Sequence, residues 1–511
     1  MSVLPSLLCL ATLAFSSEAV SQSYGPTPTG SVPVCAAESP LPLAAHMMMA
    51  GMVAQTVDDV RSLRVLTPGG EYFSGGLIQL DKAPEGRVVL TGTRMVIHGF
   101  GHFRTLILRD GARLEILQRG DGIVPTMTAD RIEIGAGCSV ATDHLKATTV
   151  LVEEGGFIEG GTTQSALQWP LGILWEDPAM PGSYGGAGLL IDQDGQLMTN
   201  PTHGSYAFPY IAGGGRKALR MEIRYLTLNG HLYASTDDDH VPSNGAIWLT
   251  VETLIGTGLL DVSARGLAAR EGQGGGRIAV HYHTWNQWSG AMHAYGSGVA
   301  VAPASNDDPL PEEDSHNVLN PKQTQYSGAG TIFTKGYHQR FGDLHIHGPE
   351  GGSVTNPGET PLVSLGEIQM TIADENRDEV LEVGGGLSPG LAGLFLVIEF
   401  DGYSVEALIV DNSHDRILLN RRLPAIPVGA HLRGNLRLDN LFLNGTSALR
   451  SKDQLDVYGR LEFGERASSR TILQVPRINL PERPDRENRR SPLDRNAGII
   501  TVAPRDESSG Q

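Results

Sequence analysis

Cysteine is nearly absent: three residues, Cys9, Cys35 and Cys138, in a chain of 511. If Cys9 leaves with an export signal, at most one bridge can form, so no disulfide framework holds the fold and packing must. Aromatic side chains make up only 6% of the chain, so its core has to be built from aliphatic residues. Basic residues are the minority, 39 against 57 acidic, and the net charge of -18 repels nucleic acid and anionic lipid and suits a solvated surface or divalent cations, which sets nucleic-acid binding aside. After residue 21 no apolar stretch spans a bilayer; Leu43 to Val53 falls far short of the roughly twenty residues needed. G-x-S-x-G, a phosphate-binding glycine loop and paired C-x-x-C are also missing, so the common signatures of hydrolase, nucleotide and zinc chemistry give no lead.

What the chain has in quantity is glycine, 64 residues, set among short apolar alternations. Leu226 and Leu228 precede Gly230, and Leu232 follows; Leu254 precedes Gly256 and Gly258, with Leu260 and Val262 beyond. The same unit occurs around Gly111, Gly137, Gly155 and Gly195, with Leu190 and Leu197 flanking the last. Period two indicates strands, and a unit this short cannot bury its own apolar side, so successive units must stack on one core. The expected fold is all-β, a right-handed parallel β-helix (solenoid) with lateral loops and a small antiparallel β module near the C-terminus. Leu4 to Phe15 followed by Ala19, Val20 and Ser21 reads as an export signal, which places the mature chain at the cell surface or in the extracellular matrix.

The expected organisation is a signal peptide at 1–21, a linker at 22–60, parallel β-helix at 61–365, the small β module at 366–440, further solenoid strands at 441–466 around Gly445 and Gly459, and a disordered charged tail at 467–511. Two excursions from the wall are expected, Gln164 to Gly188 and the acidic Ala302 to Gln325.

The ordered series GSYGGAG (Gly182 to Gly188), LTLNGHLYAS (Leu226 to Ser235), NGAIWLTVETLIGTGLLDVSARG (Asn244 to Gly266), GQGGGRIAVHY (Gly272 to Tyr282) and YSGAGTIFTK with FGDLHIHG (Tyr326 to Gly348) resembles the glycine-rich modules of large secreted bacterial surface proteins, with distant relatives among plant glycine-rich cell-surface proteins. The segment from Leu387 to Leu455 is similar to the spacer strands of that family, so the resemblance covers about Gly182 to Leu455. It implies an extracellular β-solenoid in surface, matrix or adhesive roles, binding polysaccharide or a surface protein, and it carries over no catalytic residues. The chain departs from that pattern at Ser235 to Ser243, where STDDDHVPS replaces a glycine run.

Four groups of residues have chemistry worth weighing. Asp237, Asp238 and Asp239 beside His240 offer the hard oxygen ligands calcium prefers, though consecutive aspartates also simply solvate a turn. Asp192, Asp194 and Gly195 form a weaker D-x-D-G fragment. His281 with His283 and His345 with His347 recur at period two, so each pair would share a strand face and bind a metal if the strands were neighbours; outward imidazoles are the bland alternative. Trp248, Trp285 and Trp288 would stack on sugar if they formed one platform, or plug the solenoid if they did not. A carbohydrate-active β-helix enzyme, a polysaccharide lyase or glycoside hydrolase, is the alternative to a binding protein, with acidic candidates at Asp237 to His240 or Asp307 to Asp314. End-to-end self-association is the third reading.

Overall fold

The structure, a computed structural model, describes residues 63–67, 70–118, 124–162, 184–191, 197–199, 202, 204–209, 217–235, 245–264, 267–268, 271–300, 324–348, 358–370, 379–388, 390–445, 447–464, 471–480 and 499–502. Among these there is no helix, hence none long and apolar enough to cross a membrane, and the strands form large, mostly parallel sheets.

Apolar alternation builds two ladders that the chain visits in turn. The central sheet pairs Gly70–Ser74, Arg87–Thr91, Phe100–Arg109, Thr126–Ile134, His144–Val152, Lys217–Leu228, Ala246–Gly256, Arg277–Trp288 and Thr331–Gly336, each parallel to the next. Between consecutive members the chain lays down one short strand of a flanking sheet, also parallel: Leu77–Leu80, Arg94–His98, Arg113–Leu117, Ser139–Ala141, Phe157–Glu159, His231–Tyr233, Leu259–Asp261 and Ala291–His293. Register puts Met95, Leu114, Val140, Ile158, Leu232 and Leu260 in one row of the flanking sheet, all buried. They share a core with Leu106, Ile132, Val150, Leu226 and Leu254 of the central sheet. Each such side chain contributes roughly 1.5–3 kcal/mol on burial, so the core needs few aromatics, Phe73 and Phe103 among them.

One unit departs from expectation. Leu189–Ile191 and Leu197–Thr199 pair antiparallel with each other, and His144–Val152 pairs directly with Lys217–Leu228, so these two short strands stand outside the parallel run, and Gly195 between them lies outside the described residues.

The parallel run changes sense at Thr331–Gly336, which pairs antiparallel with Asp343–His347. From there a second double ladder begins. Asp343–His347, His431–Asn444, Gln454–Phe463 and Ile478–Asn479 continue the central sheet in parallel. Gly358–Pro361, Ser447–Arg450, Ile472–Val475 and Ile499–Val502 form a second flanking sheet. Asp343–His347 and Gly358–Pro361 therefore belong with the C-terminal strands, and three of the strands named here lie in the segment expected as a charged tail. The strands expected as a small module, Glu367–Gln369, Val380–Glu382, Phe395–Phe400, Tyr403–Asn412 and Arg416–Leu419, pair antiparallel among themselves and with His431–Asn444.

At the change of sense the buried face of the central sheet also changes. Ile278, Ile332, His345 and Phe442 occupy one register row, and Ala279, Phe333, Leu344 and Leu441 the adjacent row, which points to the opposite face. Ile332 belongs to the first core, whereas Phe333, Leu344 and Leu441 belong to a second core that also takes in Trp248 and Ala279. Residues 204–209 cover Trp248, Ala279 and Phe333: Tyr206 packs edge-on to Phe333 with ring centres 5.4 Å apart, and Ser205 Oγ donates to Ala392 O at 2.6 Å.

Candidate functional site

The outer face of the first flanking sheet is where the fold sets out polar and aromatic groups at regular intervals. Period two points Met95, Leu114, Val140, Ile158 and Leu232 inward and their neighbours outward. The residues on the other side align in two rows, Arg94, Arg113, Ser139, Phe157 and His231 in one, Val96, Glu115, Ala141, Glu159 and Tyr233 in the other, with Val96 and Ser139 covered by their neighbours. Along the face Arg94 grips Glu115 with two nitrogens, at 2.9 and 3.0 Å. Arg113 Nε donates to Ser139 Oγ at 3.0 Å. Phe157 and Tyr233 meet edge to face with centroids 6.3 Å apart, and His231 Nδ1 lies 2.7 Å from the Tyr233 hydroxyl.

Beside these rows the face opens into a cleft of about 230 Å³ lined by Arg113, Glu115, Ser139, Asp143, Glu159 and Lys217, among others. Asp143 sits at the corner between Ser139–Ala141 and His144–Val152 and is 2% exposed. Neither of its carboxylate oxygens has a hydrogen-bond partner among the described residues. Burial pushes its carboxyl up to about 7. Gly161 backs it so closely that a Cβ there would lie 2.0 Å from Asp143 Oδ1, so only glycine leaves room for this carboxyl. Glu159, in the same cleft, is held by Lys217 Nζ at 3.5 Å.

Around the corner, on the outer face of the central sheet, Glu222 gathers three partners: His144 at 3.2 Å, Lys146 at 3.0 Å and Arg220 at 2.7 Å. Burial would raise the Glu222 carboxyl, but the bonds from His144 and Lys146 and the charge of Arg220 outweigh it and bring it down to about 2. This carboxylate is spent on structure; Asp143, one residue from His144, is not.

The residues singled out in the sequence are dispersed. Asp237, Asp238, Asp239, Asp192, Asp194 and Asp307 to Asp314 lie outside the described residues. The three tryptophans do not form one platform. Trp248 is buried in the second core, beneath Phe208 and with the Arg220 guanidinium 4.3 Å from its ring centre. Trp285 and Trp288 pack against the first core, edge to face at 5.2 Å. The reason is the two-faced sheet, which sends residue 248 to one side and the apolar neighbours of 285 and 288 to the other. His281 is half-buried, its Nε2 bonding Ala207 O at 2.8 Å, and its desolvation lowers it to about 4, whereas His283 is exposed beside Tyr337. His345 and His347 stand 6.0 Å apart at ring centres, His345 stacked on Phe442. Burial, with the charge of His347, lowers His345 to about 4. Among the described residues no three His, Cys, Asp or Glu side chains are grouped to hold a metal. Cys138 is a buried free thiol.

Asp143 escaped the sequence reading because ATDHLKAT matches no motif. The available signal was an acidic residue in a two-residue gap between apolar-patterned strands, where a solvated turn is the ordinary outcome. Comparison of the chain with protein-family models, with curated proteins and with solved structures gives no match in any of the three.

Proposed function

We propose that this chain is a right-handed parallel β-solenoid, exported through the signal read at residues 1–21, that binds polysaccharide along the outer face of its first flanking sheet. The alternation of central and flanking strands supports the winding, since each pair of strands makes one coil. The aligned outward rows carry the functional reading. They repeat at the strand spacing of about 4.8 Å, a step comparable to one sugar residue, and they combine guanidinium, carboxylate and hydroxyl groups with the rings of Phe157 and Tyr233. An extended glycan lying across the strands meets one rung per sugar, the polar groups replacing water and the rings packing on its apolar edges.

Electrophoresis through gels containing neutral or acidic polysaccharides tests this. The chain is expected to be retarded by at least one glycan class, and Phe157→Ala with Tyr233→Ala to weaken binding at least about tenfold, roughly 1.4 kcal/mol, without unfolding, because both rings are on the outward side. Unaltered mobility in every gel, or a double variant retarded like the parent, removes the reading.

A further inference from the structure

We propose that the glycan taken by this face carries carboxylates, and that Arg113 receives one of them in the cleft on the two terminal nitrogens of its guanidinium. The inference rests on the polysaccharide reading above and names the class of sugar.

Arg113 is exposed and lines the cleft. Its Nε is committed to Ser139 Oγ at 3.0 Å, and Ser139 is buried, so the head of the side chain is held in place. Neither terminal nitrogen meets a carboxylate among the described residues. The cations around it are answered: Arg94 holds Glu115 at 2.9 and 3.0 Å, and Lys217 Nζ stands 3.5 Å from Glu159. Arg94 pairs with Arg113 across adjacent strands of the same register row. Its bond to Glu115 shows what this row does with a carboxylate laid beside it, both oxygens being taken by one planar fork. At Arg113 the protein supplies no such carboxylate, and a ligand can.

The charges close to the cleft favour an anion although the whole chain carries -18. At about 0.1 M salt, exposed charges more than roughly 10 Å away are screened, so the local set decides. Arg94, Arg113 and Lys217 stand there against Glu115 and Glu159. Both oxygens of Asp143 are sealed from solvent, and burial pushes its carboxyl up to about 7, so in mildly acid solution it adds no negative charge. Gly160 and Gly161 bring no side chain into the lining, and Leu117, 40% exposed, offers an apolar surface to a sugar ring.

Electrophoresis in mildly acid buffer tests the assignment with two polymers that differ in one group: a polyuronate, and the same polymer with its carboxylates reduced to alcohols. A sulfated neutral glycan is the third arm. Wild type is expected to bind the polyuronate at least about tenfold more tightly than the reduced polymer, the worth of a charge-assisted pair. Arg113→Gln is expected to lose that difference, and Arg113→Lys, which keeps the charge without the fork, to lose most of it. Arg104→Gln removes an exposed arginine outside the cleft and is expected to bind like wild type, which separates contact from net charge. Equal binding of the polyuronate and its reduced form, a preference that survives Arg113→Gln or Arg113→Lys intact, an equal loss in Arg104→Gln, or tighter binding of the sulfated glycan overturns the proposal and leaves the binding reading standing. No retardation by any polymer removes both.

Discussion

Asp143→Asn is expected to be more stable than wild type at neutral pH, and equally stable in acid. The carboxyl moves from 3.8 when solvated to about 7 in the fold, so between those values the folded chain binds a proton the unfolded chain has released. Stability of the wild type is therefore full below pH 4 and falls as pH rises toward 7, after which it levels off. At about 1.36 kcal/mol per unit the loss approaches 4 kcal/mol as an upper value. Asparagine has the same shape and no charge, so it escapes this loss. Urea midpoints for both chains at a series of pH values between 4 and 8 measure it; midpoints that run parallel across the range would show that Asp143 ionises in the fold as it does in water. Asp143 would thus be a local source of instability at neutral pH.

Gly276→Ala should do more damage than almost any aliphatic truncation. Gly276 sits where successive strands pass backbone to backbone: a Cβ on it would lie 2.2 Å from Gly245 O, and one on Gly330 would lie 1.8 Å from Gly276 O. The neighbouring amides are committed at the same place, Arg277 N to Gly245 O at 3.0 Å and Thr331 N to Gly276 O at 3.1 Å. Because the obstruction is main chain rather than the end of a flexible side chain, a methyl group must spread the rungs and break these bonds. A loss of about 4 kcal/mol or more follows. Gly111→Ala is the control. Gly111 has a φ of 75° and no atom within 4 Å of its added Cβ, so only the left-handed backbone is penalised, by about 1–2 kcal/mol. Equal denaturation midpoints for the two variants would contradict close approach as the reason for the GGG run.

That contrast shows what could be read from the sequence and what could not. The unit seen around Gly230 and Gly258 is real at the level of packing: Leu226, Leu228, Leu232, Leu254, Leu260 and Val262 are all buried in one core, because period two and a glycine corner leave few other ways to hide them. Gly445 likewise marks a corner, with φ of 63°. Gly459 does not; it lies within Gln454–Phe463, beside a register shift opposite Leu438 to Asn440. The exchange of buried faces was foreshadowed by runs such as AIWL at Ala246 to Leu249 and IAV at Ile278 to Val280, apolar on both sides as strands covered on both faces are. Period two alone does not say what does the covering, and here it is a segment of the chain and a module far along it. For the same reason Trp248 looked available for sugar. Asp143 was invisible because its character comes from Gly161 and the cleft wall, which no local pattern encodes.

The exchange of faces also imposes an order on synthesis. Rungs of the first ladder pair with strands made shortly before them, so that core can close as the chain emerges. The strap at 204–209 is different: Ser205 finds its partner, Ala392, 187 residues later. Until then Trp248, Ala279 and Phe333 form an apolar strip with incomplete cover, open to any unfolded neighbour. Completing the C-terminal half thus shields the N-terminal half, and a chain halted between the two would be a sticky intermediate rather than a shorter working protein.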